Sequence, residues 1–227
     1  MECLLPKPNG SKASRSDSAD TDAASNTCAV YEVPSETDRQ LRERLIASGF
    51  PTSLAGLTFD DLTVDDLNRD KIQKAKAFAE NPIGGLYICG EFGTGKTWLS
   101  AAIGNAVARK TKRVLFGTFA TITDKLIAAQ KYGTFDTERE MYAHKADLLI
   151  VDDIGKEKPS EWKLQTLFKL IDERNGDNLP TVFTSNYSLA ALCSRISPDN
   201  NDTITVGAIK DRLKRFVPLI LGGESRR

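Results

Sequence analysis

A chain of 227 residues, 40% hydrophobic and 27% charged, has apolar material for one large domain or one domain with a tail. Its 31 basic and 31 acidic side chains cancel, which excludes a globally basic nucleic-acid coat and leaves any such surface to local clustering. No apolar run approaches the roughly 20 residues of a membrane span, and Leu4 and Leu5 do not open a signal-peptide core.

The four cysteines, Cys3, Cys28, Cys89 and Cys193, have no zinc-ligand spacing. The expectation is therefore a cytoplasmic protein with free thiols and no membrane contact. Cys89 lies in an apolar run and reads as a small core residue.

Residues 1–38 are rich in Ser, Asp, Ala, Asn and Pro, too polar to offset the entropy of ordering, and read as a disordered tail. Such a tail is either inert or a docking segment that folds on a partner. Residues 39–84 form a helical leading segment, with one helix over Arg39–Ser48 stopped by Gly49 and Pro51. A polar-acidic stretch, Thr58–Leu62, follows, and then a second helix over Lys71–Glu80 that ends at Asn81-Pro82.

From residue 85 to 227 strands and helices alternate. Strands are expected at Leu86–Cys89, Arg113–Phe116, Leu148–Val151, Thr181–Thr184 and Val217–Leu221. Helices are expected at Lys96–Lys110, Thr121–Lys131, Thr137–Lys145 and Glu161–Asn175, the last with Leu164, Leu167, Phe168 and Ile171 on one face. Near-continuous apolar strands between helices predict an α/β fold, a five-stranded parallel sheet covered on both faces.

Three motifs carry chemistry. Gly90-Glu91-Phe92-Gly93-Thr94-Gly95-Lys96-Thr97 is a Walker A loop set between a strand and a helix, where backbone N–H groups and the helix N-terminus favour phosphate. Lys96 would reach the β and γ phosphates and Thr97 would hold Mg²⁺. With Trp98, these eight residues are the candidate ATP contacts. Leu148–Val151 followed by Asp152-Asp153 is a Walker B strand that carries two carboxylates to the ligand-binding edge of the sheet. Asp152 is the candidate second metal residue, and Asp153 would orient and polarise the attacking water. Thr184-Ser185-Asn186 ends the next strand, where Asn186 can hold that water or the γ-phosphate without adding negative charge.

These motifs, with Ser48-Gly49-Phe50-Pro51, Thr58-Phe59-Asp60-Asp61, Asp152 to Pro159 followed by Trp162, Leu179-Pro180-Thr181, Asp211-Arg212-Leu213 and Gly223-Glu224-Ser225 with Arg227, resemble the AAA+ ATPases of the DnaC/IstB group. The resemblance covers Ser48 to the end and is most like the helicase loaders. It implies an AAA+ core without a C-terminal lid, weak ATP hydrolysis by an isolated subunit, and ATP-dependent oligomers. It also places Arg212 at the position of the arginine finger that reaches a neighbour's γ-phosphate, and gives Arg227 a second basic role. Asp153 stands where many AAA+ proteins carry glutamate, although Asp-Asp is a common variant in this group.

The resemblance further implies that a replicative helicase and single-stranded DNA are partners, so the function expected is assistance of DNA replication by helicase loading. A plausible DNA surface combines Phe119 with the Lys125–Tyr132 stretch, although Phe119 also fits a core position. His144, the one histidine, has no evident acid-base partner and reads as structural. An IstB-type transposition helper, a weakly hydrolysing scaffold and a small-molecule kinase are the alternatives. The sensor strand and the D-R-L helix speak against the kinase.

Overall fold

Alternation of buried side chains within each strand builds two separate cores, one on each face of the sheet. Leu86 and Ile88 face one core while Tyr87 and Cys89 face the other, and Leu148 and Ile150 are set against Leu149 and Val151 in the same way. The computed structural model describes residues 37–110, 113–158, 160–197 and 203–223, which fall within one compact unit. The expected tail lies outside the described residues apart from Thr37 and Asp38.

The strands are β1 (Gly85–Gly90), β2 (Val114–Thr118), β3 (Leu148–Asp152), β4 (Thr181–Ser185) and β5 (Val217–Leu221), in the spatial order β2-β3-β4-β1-β5. All four pairings are parallel, with Leu86 opposite both Val182 and Val217. Every strand therefore delivers its carboxyl end to the same edge.

Helices α1 (Asp38–Ala47), α2 (Arg69–Glu80) and α3 (Lys96–Ala108) cover one face. Helices α4 (Phe119–Lys131), α6 (Glu161–Gly176), α7 (Leu189–Ile196) and α8 (Thr203–Leu213) cover the other, and the short α5 (Phe135–Glu140) follows α4. The expected strands and long helices are present with ends shifted by a few residues. Cys89 and Cys193 are buried free thiols. Among the described residues no helix is long and apolar enough to cross a membrane.

Several local devices fix the leading segment to this frame. Thr37 and Gln40 form a reciprocal capping box that starts α1. Gly49 follows α1 with φ +97°, and a Cβ there would stand 2.1 Å from the Phe116 carbonyl oxygen, so only glycine lets the segment pass this close to β2. The buried Asn105 of α3 donates 2.8 Å hydrogen bonds to the Leu54 and Leu57 carbonyls and accepts one of 3.1 Å from the Gly56 N–H. One amide thus ties the loop before the 3₁₀ turn Phe59–Asp61 to the helix that follows the phosphate loop.

The second half of the expected Thr137–Lys145 helix is a π turn, Met141–Lys145. A π turn disturbs the regular carbonyl pairing, and a buried guanidinium answers it. Arg174 of α6 donates from Nη1 to the carbonyls of Tyr142, Ala143 and Ala146, from Nη2 to those of Ala146 and Pro180, and from Nε to the Thr181 hydroxyl at 2.7 Å. Burial pushes its pKa down to about 10, with Asp147 and Asp177 opposing the shift. Replacing Arg174 with Met would leave several carbonyls unpaired in the interior. Urea unfolding of that variant should show a loss of about 3 kcal/mol or more, and Arg174→Lys should recover little because an ammonium lacks the planar fork.

Candidate functional site

At the carboxyl edge of the sheet, a cleft of about 300 Å³ lies between the leading segment, the phosphate loop and the ends of β3 and β4. Phe92, Gly93, Thr94, Gly95, Lys96, Thr97 and Trp98 line it, with Asp153, Lys156, Asn186 and Leu221. Asp61, Leu62, Thr63, Asn68 and Ile72 form the opposite wall. The structure thus brings most of the sequence-derived candidates to one cavity.

The loop's shape comes from Gly93 and Gly95, at φ +80° and +90°. These left-handed conformations are open to glycine at no steric cost and turn successive N–H groups toward a common centre. Gly95 is the N-cap of α3, so the helix dipole also favours an anion there. Lys96 is 5% exposed, and its Nζ donates to the Glu91 carbonyl at 2.7 Å. Gly90 and Glu91 form the base of the loop and do not line the cleft, whereas Phe92 stands out at 69% exposure.

A chain of hydroxyl and carboxylate oxygens joins the loop to β3 and β4. The Thr97 hydroxyl donates toward both Asp152 oxygens at 3.1 and 3.2 Å. The Thr184 hydroxyl donates to Asp152 Oδ1 at 2.6 Å and accepts from the Asp153 N–H at 2.9 Å. Asp152 is 4% exposed. Burial raises its pKa, reinforced by Asp153, while the hydrogen bonds from Thr184 and Thr97 and the charge of Lys96 pull it down.

Asp153 has φ +58°, a left-handed conformation that the short aspartate side chain tolerates better than most non-glycine residues. This backbone supplies a physical reason for aspartate where glutamate was the commoner expectation. Its carboxylate pairs with Lys156 at 3.2 Å.

The opposite wall comes from the leading segment; the sequence motifs included Asp61, within Thr58-Phe59-Asp60-Asp61, but did not single out Thr63, Asn68 or Ile72. The Asn68 side chain donates to the Thr63 carbonyl at 2.8 Å and accepts from the Asp65 N–H at 2.9 Å. The Thr58 N–H and hydroxyl both donate to Asp61 at 2.8 Å, which holds that exposed carboxylate below its usual range. A capping pattern, Thr58-x-x-Asp61, was visible in the sequence; the use of Asn68 as a loop clip was not.

Arg212 does not line its own chain's cleft. It lies on α8, where Nε donates to Asp172 at 2.6 Å, Nη1 donates to the Ala208 carbonyl at 3.2 Å, and the guanidinium lies 4.8 Å from the Phe168 ring centre. Phe119 is 4% exposed and packs in the core, which removes it from the suggested DNA surface, while Tyr132 is 81% exposed. His144 has an acid-base partner after all, with Nδ1 2.7 Å from Asp177 and Nε2 3.9 Å from Glu140 and Glu173. Arg227 lies outside the described residues.

With this geometry in place, comparison with known proteins is informative. The profile of the IstB-like ATP binding proteins matches residues 18–227. This chain belongs to that family. The replicative helicase loader DnaI of Bacillus subtilis is 26% identical over 212 residues, 87% of this chain and 68% of the loader. The protein y4pL of Sinorhizobium fredii, named provisionally as an insertion sequence ATP-binding protein, is 33% identical over 143 residues, covering 63% of this chain and 56% of its own. The crystal structure of DnaI superimposes with a TM-score of 0.65 at 26% identity, covering 79% of this chain and 95% of that one. As an IstB-like protein the chain is a P-loop ATP binder with the AAA+ fold of the helicase loaders.

Charge on Asp152 opposes folding when nothing cationic is bound. Its raised pKa means that its contribution to stability is fullest below the ordinary carboxylate range and is lost as pH rises through the folded value. Asp152→Asn keeps the shape and removes the charge. In nucleotide-free protein at neutral pH it should raise the thermal midpoint by a few degrees, corresponding to about 1 kcal/mol, and the gain should vanish in acid.

Proposed function

We propose that this chain hydrolyses ATP and uses the cycle to load a replicative helicase onto single-stranded DNA. The observation that carries the reading is the cleft lined by the phosphate loop, Thr97, Asp153 and Asn186, with Asp152 and Thr184 hydrogen-bonded in a chain behind Thr97. Similarity to a replicative helicase loader along 87% of the chain supports the loading role.

The fit to ATP rests on the glycine-shaped loop, buried Lys96 and the helix N-terminus, which favour phosphate, and on the Leu62, Ile72 and Leu221 wall, which suits a base. The hard oxygens of Thr97 and Asp152 suit Mg²⁺. When bound, the ion would neutralise phosphate charge and offset the cost of the buried Asp152. Asp153 polarises the attacking water, and Asn186 holds the water or the terminal phosphate as a neutral donor. Lys96 neutralises charge where it develops.

Arg212 acts on a neighbour. Its position outside its own cleft and its hold by Asp172 and Phe168 suit presentation to an adjoining subunit, and self-association completes the site. A lone subunit then hydrolyses slowly. The second reading, a transposition helper, is favoured by the likeness to y4pL.

Steady-state hydrolysis tests the shared site. Arg212→Ala should retain ATP binding and lose about 10³-fold in turnover, and mixing it with wild-type protein should lower wild-type activity through mixed interfaces. Unchanged hydrolysis would sink the finger. Affinity capture from the native host separates the roles, since recovery of a hexameric helicase supports loading and recovery of a transposase supports the alternative.

A further inference from the structure

Lys156 is a second ammonium in the cleft, and no part of the phosphate-loop chemistry accounts for it. It lines the same cavity as Lys96, Thr97, Asp153 and Asn186, and its Nζ is 3.2 Å from Asp153 Oδ2.

Its placement is built into the fold. The turn from β3 is pinned to β4 by the Ile154 N–H on the Thr184 carbonyl at 2.9 Å and the Ser185 hydroxyl on the Ile154 carbonyl at 2.8 Å. The next carbonyl, that of Gly155, accepts from Arg195 Nε of α7 at 2.7 Å. Arg195 itself lies 5.2 Å from the ring centre of Tyr187, the neighbour of Asn186. Backbone on either side of Asp153 is thus held, and Lys156 leaves a fixed turn with its long side chain in the cleft.

We infer that Lys156 reads the terminal phosphate of a bound nucleoside triphosphate, and that Asp153 is its resting partner when that phosphate is missing. The inference rests on the nucleotide site proposed above. Lys156 is well exposed, and an exposed pair of this kind is weak. A terminal phosphate carries more charge than one carboxylate and offers several acceptor oxygens, so it outcompetes Asp153 for the ammonium. The exchange leaves the Asp153 carboxylate free to hold water only when there is a phosphate to cleave. A diphosphate has no such group, and the pair stays closed. Lys96, sunk beneath the loop, reaches the β phosphate as well as the γ and so holds either nucleotide, whereas Lys156 has a phosphate partner only in the triphosphate.

Equilibrium binding of ADP and of a non-hydrolysable ATP analogue to the full chain tests the idea without turnover. Lys156→Met should weaken the triphosphate analogue about tenfold while changing ADP by less than about twofold. Lys156→Arg should restore most of the preference. Equal weakening of both nucleotides, or no change in either, overturns the inference. Lys96→Ala serves as the control. If it still binds both nucleotides, the nucleotide-site reading itself fails; if it loses both while Lys156→Met behaves as wild type, only the role of Lys156 is lost.

Discussion

The Thr184 hydroxyl is the point through which the cleft edge of the sheet is assembled. It donates to Asp152 and accepts from the Asp153 N–H, so one small side chain on β4 sets the orientation of one carboxylate and the backbone of the next. A parallel sheet aligns its strand ends only roughly. This hydrogen-bonded clasp converts rough alignment into a fixed relation between Asp152 and the backbone of Asp153, with Asn186 two residues beyond Thr184. Asp152 in turn reaches Thr97, which carries the same constraint across to the phosphate loop. A buried carboxylate is costly unless it is hydrogen-bonded, and the two threonines offset only part of the cost at Asp152, whose pKa burial still raises.

A parallel sheet alone would leave the nucleotide exposed on one side. The leading segment closes that side, tied down by Asn105, about two and a half turns along the helix from Lys96. The same helix thus presents Lys96 and fastens Leu54–Leu57, the loop that leads into the opposite wall. Asn68 and Asp61 then shape the rim locally.

The sheet, its five strands and the phosphate loop were legible because they depend on local patterns: apolar runs, glycine spacing and a strand-to-helix boundary. Asp152, Asp153 and Asn186 were legible because strand ends in this fold share one edge. What escaped depends on contacts distant in sequence. Helix α7 is only eight residues long, shorter than the window over which a helical period is read, although Leu189, Leu192, Cys193 and Ile196 recur at helical spacing. The π turn exists together with Arg174, some thirty residues downstream. Phe119 looks alike in a core and on a stacking surface until the helix is rotated into place, and His144 meets Asp177 only through folding. Lys156 resembled any solvated lysine, and only its pairing with Asp153 distinguishes it.

The order of the strands also bears on how the site comes into being. β1 carries the phosphate loop and occupies an interior position, yet its neighbours are β4 and β5, with Gly85 opposite Thr181 and Leu86 opposite Val217. Both partners are synthesised long after it. Pairings so remote in sequence form slowly, since a long loop must close before any contact is gained. On the ribosome, the apolar strand that carries the loop has neither of its sheet partners until β4 is made. A chain interrupted before β4 would expose the very strand that carries its phosphate loop.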